Sequence, residues 1–429
     1  MPAQPQRGTV VVPVLVRPEA RAEVVAVRVD GQLAPNAVSW RPSSQEPERA
    51  PGALTLRVDT TRLADGRHAI TLEAQDRSRR RNRNVLTLEL ATDNTPPQLL
   101  VRVDPARLRA GAPAVVRIDA SEPAMVEAMW ECASAQAPCG LEQPESLPLL
   151  PAGSPARPDE TSRGGGQSAA LARAYVALGA LPVGSAALQA GLAGSDPAPG
   201  GGLVALRIKG QDAAGNVGET SLTLPVDATV AARQALAVPP ALAALATGPV
   251  AAAEAAQVAA LTRAVRGAPL WDGAFRSPLA GGAPRTTGFG EQRTYTDGTV
   301  TYHAGYDLAA PLGTPVVAAA AGEVAFAGQL AQRGNAVIVD HGWGIYTLYA
   351  HLQRLDVAAG QVVAQGQTIG LVGTTGLSTG PHLHWEVRLR GTAIDPAAWL
   401  EASARLPAFF TGEALAFSSR EQASVAGRD

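Results

Sequence analysis

At 429 residues the chain exceeds what one ordinary core organises and points to about three domains. A formal net charge of -2, with 36 Lys and Arg against 38 Asp and Glu, gives no reason to expect nucleic acid as a partner. No apolar run is long enough to span a membrane, and 44 Gly with 34 Pro favour turns, loops and linkers over long helices.

Residues 1–97 alternate strand-like runs with turn clusters. Val10–Val16, Glu23–Val29, Ala53–Val58, Ala69–Ala74 and Val85–Leu90 are the clearest, and short strands at this spacing predict a β-sandwich. Asp93-Asn-Thr-Pro-Pro97 then marks a boundary, because consecutive prolines suit a sheet poorly. His68 reads as a strand-edge residue, and Arg77, Arg79, Arg80, Arg81 and Arg83 as a solvated hairpin tip. Residues 98–227 repeat the end of this first unit. The run from Gly66 to Asp76 has a counterpart in Leu203–Asp212, and each is followed by a polar turn and a further strand, Ser221–Val226 in the second case. In the Asp212–Asn216 turn, Asp can bond the backbone two residues on, while Gly and Asn tolerate positive φ. Thr161–Ser168 and Asp196–Gly202 look like flexible insertions. On these patterns both units resemble bacterial immunoglobulin-like β-sandwiches.

Residues 228–268 are Ala-rich. Pro239-Pro240 and Gly248-Pro249 divide them, which predicts two short helices, the surer over Val250–Arg266 with Gly267 as its stop. Val258, Leu261 and Val265 are expected to pack on a neighbouring domain, and the segment as a whole to be a spacer that holds the sandwiches away from the C-terminal unit.

The unit expected over 269–400 holds five of the six histidines. It carries His303-Ala-Gly-Tyr-Asp307, then Tyr349-Ala-His351-Leu352, then Pro381-His382-Leu-His384-Trp-Glu386-Val387. The last run alternates as a half-buried strand does, so His382 and His384 face one space while Leu383 and Trp385 face the other. His303 and Asp307 could share a face of a helix or a strand, and Gly305 between them favours the strand. Two or three imidazoles with one carboxylate suit zinc, and three protein ligands with an open position make a catalytic site. His341, directly after Val337–Asp340, reads as a strand-end residue rather than a ligand.

These residues resemble the lysostaphin/LytM-type zinc metallopeptidases, which cut peptidoglycan peptides. Further blocks carry the likeness in the right order. Phe289-Gly-Glu-Gln-Arg293-Thr-Tyr295 has one residue more before the arginine than the family pattern. Gly313–Val316, Gly322–Val324, Gly334-Asn335 with Val337–His341, and Gly376–His384 come after it. The resemblance covers roughly 270–400 and implies an antiparallel β-sheet peptidase domain. It assigns His303, Asp307 and His384 as ligands of one Zn2+, with His351 and His382 beside the metal as general base and transition-state stabiliser, in either order.

That assignment implies a zinc endopeptidase acting on peptidoglycan stem peptides or cross-bridges. The alternative is a non-catalytic module that binds peptidoglycan and recruits another hydrolase; a missing ligand would mark it, and none is missing. Such an enzyme belongs to the cell envelope, periplasmic or extracellular. The chain opens without the basic and apolar regions of an export signal, so a trimmed signal is expected. In an exported protein Cys132 and Cys139 are expected to form a local disulfide, stabilising by ~2 kcal/mol. The sandwiches offer a surface for an envelope protein or polymer, the arginine cluster being one candidate contact. Residues 401–429 are expected to be a loosely packed tail.

Overall fold

The computed structural model describes residues 5–15, 23–34, 36–42, 53–76, 78–133, 141, 143–152, 172–181, 202–227, 232–236, 245–246, 248–281, 283–295 and 300–411. It is mainly β, as the sequence implies. The first unit contains β1 (Thr9–Leu15), β2 (Glu23–Val29), β3 (Gln32–Leu33), β4 (Val38–Pro42), β5 (Ala53–Asp59), β6 (Gly66–Gln75) and β7 (Arg83–Thr92). They pair in two antiparallel sheets, of order β1-β5-β4 and β3-β2-β6-β7. Alternate residues of each, Leu56 and Val58 from one and Ile70, Leu72 and Leu90 from the other, meet in a shared core. His68 lies on β6 opposite Leu90 of β7 and beyond the β2 pairing, which stops at Ile70, and its Nδ1 sits 2.6 Å from Asp30 Oδ2. Arg79, Arg80, Arg81 and Arg83 are exposed around the β6–β7 turn; Arg77 lies outside the described residues.

The second unit contains β8 (Leu99–Asp104), β9 (Leu108–Arg109), β10 (Pro113–Cys132), β11 (Glu145–Ser146), β12 (Leu149–Pro151), β13 (Ala172–Ala180), β14 (Leu203–Asp212) and β15 (Val217–Asp227). The 20-residue β10 breaks register between Asp119 and Ala124. Its first half lies between β8 and β13, and its second half between β11 and β14. One long strand therefore serves two layers. Cys132 is disulfide-bonded; Cys139 and the expected insertions up to residue 201 lie outside the described residues.

The linker departs from expectation. It contributes a strand, β16 (Arg233–Leu236), and its described helix, α1 (Gly248–Leu261), ends before Arg266. Beyond it the chain is drawn onto the C-terminal sheet. Thr262 Oγ1 bonds back to the Val258 carbonyl at 2.7 Å, Tyr346 donates to the Ala264 carbonyl, and Arg266 pairs with Glu323 and Asp340, each at 3.2 Å. Those bonds replace the last helical turn. Val258 is fully buried against Leu330, Ile338, Tyr346 and Leu348. The linker is therefore part of the C-terminal body and not a spacer.

That body continues with β17 (Arg285–Thr287), β18 (Gln292–Tyr295), β19 (Val300–Tyr302), β20 (Tyr306–Ala309), β21 (Pro315–Val317), β22 (Gly322–Leu330), β23 (Gly334–Asp340) and β24 (Ile345–Leu355). It ends with β25 (Val362–Val363), β26 (Thr368–Val372), β27 (His382–Leu389), β28 (Thr392–Ile394) and the helix α2 (Pro396–Thr411). The main sheet has order β17-β20-β27-β24-β23-β22-β25. The linker strand β16 adds in parallel to β18, which pairs with β19.

Residues 401–411 are not a tail. Asp395 caps α2 through the Ala397 N–H at 3.0 Å. Trp399, Ala402, Leu406 and Phe409 then bury one helical face across the expected boundary at 400. They pack among Val115, Val176 and Leu178 of the second unit, whose other faces hold that unit's own core. Arg390 clasps the same junction, bonding the Leu178 carbonyl at 2.8 Å and Glu145 at 2.6 Å. The second unit is thus docked on the C-terminal body. Among the described residues no helix is long and apolar enough to cross a membrane.

Two consequences are measurable. A Cβ at Gly305 would lie 2.2 Å from the Trp385 carbonyl oxygen of β27. Gly305→Ala should therefore push β20 from β27 and cost about 1–3 kcal/mol in urea unfolding; an unchanged midpoint would contradict the close approach. His341 is fully buried beside Phe275, and burial pushes its pKa down to about 4. The unfolded ring takes up a proton near pH 6.5 and the folded ring only near 4. The stability held by the neutral ring is therefore complete above pH 6.5 and lost as pH falls toward 4, by roughly 3 kcal/mol in all. His341→Gln should flatten the unfolding free energy across that window.

Candidate metal centre

β20 and β27 pair antiparallel with Asp307 directly opposite His384 and Ala309 opposite His382. Side chains opposite each other in a ladder share a face, so Asp307, His384 and His382 project together. Leu383 and Trp385 point into the core on the other side, as the alternation requires. His303 comes from the β19–β20 connection rather than a strand. That connection can fold tightly onto β27 because Gly305 has no side chain.

His303 Nε2, Asp307 Oδ1 and His384 Nδ1 converge. His303 Nε2 lies 3.0 Å from both others, and His384 Nδ1 lies 2.8 Å from Asp307 Oδ1. The far side of each ring decides what these nitrogens present. His303 Nδ1–H donates to the Gly288 carbonyl at 2.8 Å, and His384 Nε2–H donates to Glu386 Oε1 at 3.1 Å. Burial also favours the neutral His303 ring, whereas at His384 the effect of burial is outweighed by the Asp307 and Glu386 carboxylates, which raise its pKa. Once His384 gives up its inward proton both inward nitrogens carry lone pairs, and two lone pairs beside a carboxylate oxygen at this range suit a shared cation. The donor set fits a divalent metal. Asp307 keeps its other oxygen on Arg293 Nη2 at 2.9 Å, so one oxygen is left for the site.

His351 and His382 complete the cluster. Their ring centroids are 4.7 Å apart, and His382 Nε2 lies 3.7 Å from Asp307 Oδ1. Both rings donate from Nδ1 to backbone carbonyls, His351 to Thr375 at 2.7 Å and His382 to Gly380 at 2.8 Å, which turns each Nε2 toward the centre. Burial, with His384 and His382 nearby, holds the His351 pKa down to about 3, so its ring is uncharged at neutral pH. His351 sits at φ 60°, where β24 leaves β27 for β26. This left-handed backbone costs a non-glycine residue roughly 1–3 kcal/mol. Gly373 permits the crossing, since a Cβ there would lie 2.3 Å from the Gln353 nitrogen.

The four histidines and the aspartate expected at the site are thus together. The sequence pattern alone did not single out Glu386, Arg333 or Arg388. Glu386 is fully buried; burial would raise its carboxyl, but Arg333 and Arg388 outweigh that and hold it well below the usual carboxylate range. The signal was available, because the two-residue alternation His382, His384, Glu386, Arg388 continues along one face of β27. The cluster opens into a groove of about 510 Å³, lined by Thr287, Arg293, Tyr302, Ser378 and Thr379, with Gln234 of β16 also lining it. A larger recess of about 980 Å³ runs along Met125 and Met129 of the second unit and contains none of these histidines.

Comparison with known proteins places this geometry. Peptidase family M23 matches residues 301–396. The DD-carboxypeptidase/endopeptidase Mpg of Neisseria meningitidis serogroup B is 43% identical over 120 residues, 28% of this chain and 27% of that protein. The peptidoglycan DD-endopeptidase ShyB of Vibrio cholerae serotype O1 is 40% identical over 111 residues, 26% of each chain. The matched part thus spans about a quarter of the length of these relatives. Among solved structures, the catalytic domain of lysostaphin from Staphylococcus simulans is similar at 32% identity, covering 28% of this chain and 92% of that one with a TM-score of 0.26. The C-terminal part of the chain, with its His303, Asp307 and His384 cluster, is a peptidase family M23 domain of the LytM/lysostaphin type.

Proposed function

We propose that the protein is a zinc-dependent endopeptidase of the cell envelope that hydrolyses peptide bonds in peptidoglycan. The observation that carries this is the convergence of His303, Asp307 and His384 within 3.0 Å, with two further inward-facing imidazoles at the head of a groove. Two imidazoles and one carboxylate form a donor set typical of catalytic zinc sites. The bond we favour is the D-alanyl to meso-diaminopimelate cross-link, because ShyB is named a peptidoglycan DD-endopeptidase and Mpg a DD-carboxypeptidase/endopeptidase.

Zinc, when bound, supplies Lewis acidity to the scissile carbonyl and the attacking water. The chain supplies the rest. Asp307 and His384 are held in register by the β20–β27 ladder, so the ligand geometry needs no rearrangement as the reaction proceeds. His351 and His382 each turn Nε2 to the same space. One, with its Nε2 unprotonated, accepts the proton of the water and returns it to the departing amine, and the other, as an imidazolium carrying protons on both nitrogens, donates its Nε2–H to the developing oxyanion. The uncharged His351 ring suits the accepting role. The lining sets small polar residues, Thr286, Thr287, Ser378 and Thr379, beside Arg293 and Tyr302, which fits an extended polar peptide.

The test is digestion of purified peptidoglycan by the full chain, read by mass spectrometry of the released peptides. Chelation should stop release and zinc restore it. His384→Ala should lose both metal and turnover. His351→Ala and His382→Ala should each keep the metal while turnover falls by roughly 10²–10⁴-fold. Undiminished cleavage by His384→Ala would sink the metal mechanism. A folded, zinc-loaded protein that releases no peptide would sink the enzyme.

A further inference from the structure

We infer that the linker helix α1, which lies outside the segment that matches the family, belongs to the metal centre: Glu254 is a positioning residue that acts on His384 through Arg333 and Glu386. The inference rests on the reading of His384 as a metal ligand.

The four side chains form one buried chain. Glu254 is 4% exposed and Glu386 is fully buried. Glu254 Oε1 accepts from Arg333 Nη1 at 2.9 Å. Arg333 Nε and Nη2 both reach Glu386 Oε1, at 2.7 and 2.5 Å, and that same oxygen accepts the His384 Nε2–H. Glu386 Oε2 takes Arg388 Nη1 at 2.5 Å. Beyond Glu386 the two guanidiniums end differently, Arg388 on the neutral Gly391 carbonyl and Arg333 on the charged Glu254. The set Glu254, Arg333, Glu386, Arg388 alternates in sign and sums to zero.

That balance matters at His384. A carboxylate behind a ligating imidazole raises its basicity, and such partners typically govern metal affinity by 10–100-fold. Removing the Glu254 charge would leave two guanidiniums sharing one carboxylate, so less of the Glu386 charge would remain for the His384 N–H. Glu254 also fixes the peptide that carries Arg333. It accepts the backbone N–H of Gln332 at 2.6 Å and of Arg333 at 3.3 Å, and the Arg333 carbonyl in turn accepts the His351 N–H at 2.8 Å. One carboxylate on α1 thereby reaches two of the clustered imidazoles.

Docking alone does not account for it. Val258, one turn further along α1, supplies the apolar contact with the sheet, and a helix docked only for packing has no need of a buried acid.

The full chain is used, with zinc affinity measured by competition with a chelating dye and the electronic spectrum of the Co2+-substituted protein recorded beside it. Glu254→Gln should weaken zinc by about tenfold and shift the cobalt bands. Val258→Ala should lower the thermal midpoint while leaving zinc affinity and spectrum unchanged, which separates positioning from packing. Wild-type affinity and spectrum in folded Glu254→Gln overturn the inference. Should that variant not fold, Arg333→Lys reads the same link, since lysine keeps the charge but cannot bridge both carboxylates; unaltered zinc affinity there overturns it equally. A wild-type chain that takes up neither metal would instead overturn the reading of His384 as a ligand.

Discussion

Two imidazole nitrogens and a carboxylate oxygen within 3.0 Å of one another repel unless a proton or a cation lies among them, and much of the C-terminal body serves to hold them there. The β20–β27 register sets Asp307 against His384. Gly305 lets the loop bearing His303 close onto β27. Each ring is turned by a donor bond on its far side, to Gly288, Glu386, Thr375 or Gly380. None of these is a contact with the metal, yet each decides what the metal would meet. The φ of 60° at His351 belongs to the same set, since strain at one residue is sustained by the strand crossing around it.

The polar face of β27 imposes a second constraint. His382, His384, Glu386 and Arg388 occupy alternate positions on a strand whose neighbour β24 is covered by α1. Isolated charges there would be costly, and removing one member of a buried pair leaves its partner uncompensated. The solution is alternation of sign through Arg333 to Glu254, with nearly every proton and lone pair assigned. Such a chain is weak evidence for stability but strong evidence for fixed geometry, because its members have little freedom to reorient.

Much of the site was legible in the sequence because its determinants are local. His-x-His on a strand shares a face whatever the tertiary context, and the spaced glycine blocks identify the turns between strands. What escaped was set by contacts remote in sequence. Glu254 sits in an Ala-rich helix where a lone acid reads as solvated; only the approach of Arg333, 79 residues on, makes it part of the centre. The end of α1 is invisible to local pattern because helix propensity continues through Ala264 and Val265, whereas Arg266 is claimed by Glu323 and Asp340. β13 (Ala172–Ala180) shows no alternation because both its faces are buried, Tyr175 and Ala177 in the second unit and Val176 and Leu178 against α2. The 399, 402, 406, 409 stripe is cut by a boundary placed at 400.

These misses share one cause, and it bears on what the functional unit is. The segment that matches the family runs from 301 to 396, but the physical unit is larger. β16 adds an edge to the sheet beside the groove, α1 neutralises Arg333 and covers the outer face of β23 and β24, and α2 closes the inner core with Trp399 and Phe409. α2 in turn has a second face to satisfy, and Val115, Val176 and Leu178 of the second unit satisfy it. A chain cut at the limits of the family match would expose Val258's partners on one side and, losing α2 with its Trp399 and Phe410, uncover Trp343 on the other. Buried apolar area is the dominant stabilising term in a fold of this kind. The flanking elements are therefore required by the same physics that holds the metal ligands in register, and the site is a property of the assembled body rather than of the motif alone.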